Sequence, residues 1–333
     1  MLRVTVDAGT TNTRVRVWNN NRLCAAVAEN TGIRDVAPGE SPTRAASGLK
    51  ALLDKALSRA KAAPGEVGAI VASGMITSEL GLCPLPHLTA PVSLRQLAQG
   101  VQMRAFPQIA PVPIGFIPGI KNAVEEISLA GCEAMDMMRG EEVEVFGLLK
   151  QHPLPGPALI VLPGSHTKLV RLDAQQRIAG CATTLAGEAL DVLTHRTVLA
   201  HSLRHGFVQQ PDDDFLFQGA DLCRRVGITR AAFAVRVLDA FTGASEDQRA
   251  SFLLGAVLSA DICAMKESAA LAVTPESAIV IAGKPALQQA LARLIHRDPF
   301  FRGEIVTVSE DPDRPLSAEG ALAVLAQIPE ASR

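Results

Sequence analysis

The chain has 333 residues, 48% hydrophobic and 20% charged, which excludes whole-chain disorder and suits two ordinary domains better than one. Its 32 basic and 34 acidic residues leave a formal net charge of -2, so nothing steers it toward phosphodiester backbones or anionic membranes. With 4% aromatics and no Tyr, platforms for stacking bases are scarce as well, and a small-molecule ligand is expected, without nucleic-acid or membrane partners.

The best apolar run, Phe252 to Met265, is broken by Ser259 and Asp261, and no transmembrane helix is expected. Asp7 follows the N-terminus too closely for a signal peptide, so a cytoplasmic protein is expected. Six cysteines, at 24, 83, 132, 181, 223 and 263, form no Cys-x-x-Cys pair and read as reduced thiols. Composition leaves the oligomeric state open.

In chain order, Arg3 to Asp7, a Gly-Thr-Thr-Asn turn and Thr13 to Trp18 read as a β-hairpin, and Arg22 to Ala28 completes a meander. Ser41-Pro42 opens an amphipathic helix carrying Leu49, Leu52, Leu53, Ala56 and Leu57 up to Pro64-Gly65. Val67 to Ala72 reads as a buried strand, and a loop follows from Gly74 to Pro91, long enough to suggest a task. Val143 to Leu149 is an apolar helical pattern whose first turn holds Glu141 and Glu142.

The second half repeats the opening. Ala158 to Leu162, a Pro-Gly-Ser-His turn, Thr167 to Leu172 and Arg177 to Thr183 give strand, turn, strand and strand again, at an offset of 155 residues from Asp7 to Leu162. Two related α/β domains follow from this repeat, 1–150 and 151–333. Helices are expected over about 187–203, 212–227, 229–241 and 246–268, with His201 and His205 on one face of the first as ordinary helix surface. A strand, Ala278 to Ala282, runs into Gly283; a helix from Pro285, a strand from Glu304 to Val308 and a helix from about Pro315 to Ile328 close the domain, the last free to pack on the first domain.

Tight turns of Gly, Thr and Ser between strands point backbone N–H groups and hydroxyls into a small volume that suits phosphate oxygens, and two facing turns could clamp a polyphosphate. The candidates are Gly9, Thr10, Thr11 and Asn12 in the first, and Gly164, Ser165, His166 and Thr167, with the Lys168 charge beside them, in the second. Asp7, at the end of the first strand, could hold Mg²⁺ through its water shell. Glu141 or Glu142 could be a general base or simply an acidic first turn, while Gly187 and Gly283 open helices where a backbone could approach a nucleotide. The common phosphate loops, Gly-x-x-x-x-Gly-Lys-Ser/Thr and Gly-x-Gly-x-x-Gly, are absent.

These stretches resemble the sugar kinases of the actin, Hsp70 and hexokinase superfamily, and within it the 2-dehydro-3-deoxygalactonokinase family. The resemblance runs from Asp7-x-Gly9-Thr10-Thr11-Asn12-x-Arg14 through Thr31-Gly32-Ile33, Ser73-Gly74-Met75, Pro86-His87-Leu88 and Ile117-Pro118-Gly119. It continues through Asp136-x-Met138-Arg139-Gly140-Glu141-Glu142, Leu162 to Lys168, Gly187-Glu188 and Ala282-Gly283. It implies two ribonuclease-H-like domains around a cleft, and phosphorylation of 2-dehydro-3-deoxy-D-galactonate at its 6-hydroxyl by ATP and Mg²⁺. It also implies sugar-acid contacts from Arg14, Gly32, Gly74, Met75 and Arg139, with Arg14 and Arg139 both candidates for the substrate carboxylate. A phosphohydrolase of the same superfamily and a non-catalytic sugar sensor are the alternatives.

Overall fold

A computed structural model describes residues 1–9, 12–29, 42–154 and 156–329. The opening alternation produces an antiparallel meander of β1 (Leu2–Ala8), β2 (Thr13–Asn19) and β3 (Arg22–Glu29), with Val4, Val6, Val15 and Val17 turned into the core. Helix α1 (Pro42–Ala60) covers that face with Leu49, Leu52, Leu53, Ala56 and Leu57, and β4 (Val67–Gly74) joins β1 in parallel. Short elements follow that carry no periodicity in sequence: β5 (Leu88–Thr89), α2 (Leu94–Gln99), β6 (Gln102–Arg104), β7 (Ile114–Phe116), β8 (Ile120–Lys121) and β9 (Met137–Met138). The first sheet has the order β3-β2-β1-β4-β7-β6, while β5, β8 and β9 make a small sheet of their own.

After α3 (Glu141–Gln151) the pattern recurs. Strands β10 (Ala158–Leu162), β11 (Thr167–Leu172) and β12 (Ile178–Thr184) lead into α4 (Ala186–His195), α5 (Asp213–Val226), α6 (Ile228–Phe241) and α7 (Glu246–Glu267). Then come β13 (Ala278–Ala282), α8 (Pro285–Arg297), β14 (Ile305–Val308) and α9 (Leu316–Gln327). The second sheet, β12-β11-β10-β13-β14, matches the first five positions of the first sheet strand for strand, with the same parallel and antiparallel pairs. The 155-residue repeat is therefore a repeat of topology.

Strand β10 is buried on both faces, which is why it reads Ala-Leu-Ile-Val-Leu without alternation. Leu159 and Val161 face α4 to α8, whereas Ile160 and Leu162 face a layer built on α3 and α9 between the two sheets. In that layer α9 crosses α3 at Gly147 and Gly320, where a Cβ on Gly147 would overlap the Leu316 carbonyl and one on Gly320 the Val143 carbonyl. Gly320→Ala should therefore cost about 2 kcal/mol or more, as overpacking at a backbone contact does. A urea midpoint equal to the parent's would show that the helices can slide apart freely.

The small sheet docks on the free edge of β12. Val92 and Ile178 exchange backbone hydrogen bonds of 2.9 Å. The Asn122 side chain donates to the Cys181 carbonyl and accepts from the Cys181 N–H, both at 2.8 Å.

One expectation fails. The helix expected over 187–203 ends at His195 because the Thr197 hydroxyl donates to the Leu193 carbonyl at 2.8 Å and accepts the Leu199 N–H, closing the last turn. Residues 196–205 are bends and turns, with Arg204 and His205 at positive φ, so His201 and His205 do not share a helix face. Buried Leu199 and Leu203 imitate helical spacing there. The described cysteines are all unpaired, and no helix among the described residues is long and apolar enough to cross a membrane.

Candidate active site

The carboxyl-terminal ends of the central strands of both sheets open on one cleft of about 840 Å³. Of the residues singled out from sequence, Asp7, Gly9, Arg14, Met75, Arg139, Glu141, Gly164, Ser165, His166, Lys168 and Gly283 line it. Asn12, Gly74, Glu142, Thr167 and Gly187 do not line it, and Thr10, Thr11 and Gly32 lie outside the described residues.

On the first lobe, Asp7 is paired across the β1–β2 ladder with Arg14, whose guanidinium donates to its carboxylate at 3.3 Å. The hairpin is closed by the Gly9 N–H donating to the Asn12 carbonyl at 2.8 Å. On the second lobe, the helix α4 is stapled to the turn: the Glu188 N–H donates to the Ser165 carbonyl at 2.9 Å, and the Glu188 carboxylate lies 3.2 Å from His166 Nε2. Gly187 permits this, since a Cβ there would overlap the Gly164 carbonyl. The hydroxyls of Thr167 and Thr184 both turn inward to Asp261 of α7. Burial pushes that carboxyl up to about 6 against those two hydrogen bonds.

The consecutive glutamates have different surroundings. Glu142 is fully buried, and both its oxygens accept the Gly140 N–H at 2.9 Å, so it caps its own helix. Burial, then the adjacent Glu141 charge, pushes it up to about 8. Glu141 faces the cleft; burial raises it, while the Lys168 ammonium draws it down. One turn on, Glu144 also faces the cleft, raised well above the carboxylate range by burial and by Asp7, Glu141, Glu310 and Glu142.

The Glu142 carboxyl makes stability pH-dependent. Its proton is held in the folded chain up to about 8 and given up by the unfolded chain near 4.5, so this group lowers stability as pH rises through that window. Glu142→Gln keeps an acceptor for Gly140 and should flatten the decline between about pH 5 and pH 8. Parallel denaturation midpoints for parent and variant across that range would remove Glu142 as its source.

Sequence reasoning missed several groups. Glu144 was legible as the i+3 partner of Glu141 on one helix face, but was absorbed into an apolar pattern. Glu310 follows β14, and Arg16, whose buried Nη1 has no hydrogen-bond partner, lies under Asp7 and Glu310. Neither Glu310 nor Arg16 sits in a local motif. Lys168 lines the cleft, yet its ammonium donates to the Met137 carbonyl at 2.7 Å and to the Thr183 hydroxyl, turning toward β9. Arg139 donates to the Thr77 hydroxyl at 2.9 Å and to the Leu85 carbonyl at 2.5 Å.

Two ribonuclease-H-like sheets facing each other across a cleft, each presenting a hairpin to it, define the actin-like ATPase and sugar-kinase fold. The family model of 2-keto-3-deoxy-galactonokinases matches residues 7–300, and the chain belongs to that family. It is 30% identical over 198 residues to a protein of Rhizobium meliloti assigned as 2-dehydro-3-deoxygalactonokinase DgoK1, a match covering 60% of this chain and 58% of that protein. It is 26% identical over 201 residues to the 2-dehydro-3-deoxygalactonokinase of Escherichia coli, covering 60% of this chain and 61% of that one. The chain thus matches about three fifths of the length of these relatives. A crystal structure of a Sinorhizobium meliloti protein assigned as a 2-dehydro-3-deoxygalactonokinase superposes with a TM-score of 0.74 at 20% identity, over 97% of both chains.

Proposed function

We propose that this protein is a phosphotransferase that moves the γ-phosphoryl group of ATP to the 6-hydroxyl of 2-dehydro-3-deoxy-D-galactonate. The single observation that carries this is the cleft itself, which joins two backbone-lined hairpins to the carboxylates of α3 that face it, Glu141 first among them. The hairpin around Gly9 to Asn12 holds one side of the phosphate chain and that around Gly164 to Thr167 the other, with Gly187 and Gly283 letting the backbone approach the nucleotide.

Glu141 is the base. Glu142 spends both oxygens on the Gly140 N–H and lies outside the cleft, whereas Glu141 stands between the Lys168 charge and the Asp7 carboxylate. The hydroxyl oxygen attacks the γ-phosphorus, its proton passes to Glu141, and ADP leaves in line. Lys168 keeps Glu141 able to ionise and fixes Met137 rather than binding phosphate.

Asp7, Glu144 and Glu310 are a donor set suited to a hydrated Mg²⁺ ion, since Glu144, raised by burial and by the Asp7 and Glu310 charges, gains from a cation held through water. No three metal-ligating side chains among the described residues are close enough to grip an ion directly, and Asp7 would act through the water shell. Such an ion would offset phosphate charge. The substrate carboxylate goes to Arg139 rather than Arg14, because Arg14 is already paired with Asp7 while Arg139 has no carboxylate within 4.0 Å among the described residues.

Residues 1–150 then form the sugar-acid lobe and 151–333 the adenosine lobe, with α9 packed on the first. The test is Mg²⁺-dependent ADP formation from ATP across a panel of 2-keto-3-deoxy sugar acids. Orthophosphate release without any sugar acid would point to hydrolysis instead.

A further inference from the structure

His87 sits in the cleft wall with its Nδ1 3.4 Å from Arg139 Nη2. A guanidinium has only donors, so Nδ1 must accept and the ring proton resides on Nε2. All three groups that hold Arg139, the Thr77 hydroxyl, the Leu85 carbonyl and the His87 ring, are thus neutral acceptors. Imidazole neutrality is enforced locally: burial, then the charges of Arg139, Lys121 and Lys168, bring His87 down to about 4. The nearest carboxylates felt by Arg139 are Glu142, protonated at neutral pH, and exposed Glu79.

Room for this arrangement is built in. A Cβ on Gly119 would lie 2.7 Å from Arg139 Cγ and 2.8 Å from His87 Cδ2, so Gly119 is the floor on which both side chains rest. We propose that His87 is a positioning residue for substrate recognition: as an uncharged acceptor it orients Arg139 without neutralising it, leaving the guanidinium charge for the carboxylate of the sugar acid. This rests on the phosphotransferase assignment above and deepens it by naming the device that makes the site select acids over neutral sugars.

The distinguishing variant is His87→Glu, which gives Arg139 an ion-pair partner inside the protein. Calorimetric binding of 2-dehydro-3-deoxy-D-galactonate should weaken on the order of thirtyfold, as expected for loss of a charged hydrogen-bonded pair, and KM should rise while kcat changes little. Binding of the corresponding carboxamide, which lacks the charge, should be weak in the parent and hardly altered in the variant. His87→Asn, a neutral acceptor of similar reach, should restore acid binding to within a few-fold, and it also tests the idea if His87→Glu does not fold. Equal loss of acid and amide binding, or an Asn variant as poor as the Glu variant, would overturn the positioning role. Absence of sugar-acid binding by the parent would instead overturn the phosphotransferase assignment, and this inference with it.

Discussion

Glu141→Gln should lower the single-turnover rate of phosphoryl transfer by about a hundredfold to ten-thousandfold with nucleotide affinity retained, the loss typical of removing a general base. The side chain is isosteric, and the helix keeps its cap because Glu142, not Glu141, accepts the Gly140 N–H. Stability should not fall, since burial and the Asp7 charge already disfavour the Glu141 anion. The informative comparison is with Glu142→Gln in the same assay. If the two variants lose rate equally, the damage is to the first turn of α3 and neither residue is a base.

Asp7→Asn should be nearly as damaging, lowering turnover by about a hundredfold or more while the protein stays folded, because charge is removed with little change in volume. Its carboxylate is the ion-pair partner of Arg14 and a neighbour of Arg16 and Glu144. Freed from Asp7, Arg14 remains as an unbalanced cation beside the acidic groups and would compete with a divalent ion there. The Mg²⁺ concentration for half-maximal rate should therefore rise. Turnover near the parent's at limiting Mg²⁺ would exclude Asp7 from the metal's surroundings.

Much of the architecture is written locally. The meanders, α1 and the long helices α5, α6 and α7 follow from alternation, helical spacing and caps such as Ser245 with Gln248, and are found within a few residues of their expected ends, whereas α4 stops eight residues short of 203. Residues 88–138 were opaque because strands of two or three residues have no period to detect, and their partners are distant. The same distinction divides the site. Asp7, Gly9 and the second hairpin announce themselves as strand-turn-strand motifs. The choice between Glu141 and Glu142 cannot be local: neighbours on a helix point about 100° apart, and which of them meets the cleft depends on how α9 seats on α3. Likewise, His87 and Arg139 lie 52 positions apart and only the fold brings them together.

The docking of the small sheet on β12 has a consequence for synthesis. A ribosome delivers Val92 and Asn122 well before Ile178 and Cys181, so for a time the nascent chain carries an amide side chain and a strand segment whose partners do not yet exist. The apolar flank of α3 waits still longer, because α9 is made after every other helix among the described residues. The first lobe is therefore finished only after α9 has been made. Maturation of the cleft becomes a late, long-range event, and a chain stalled or cut near residue 300 would keep both hairpins yet lack the helix that sets the register of Glu141.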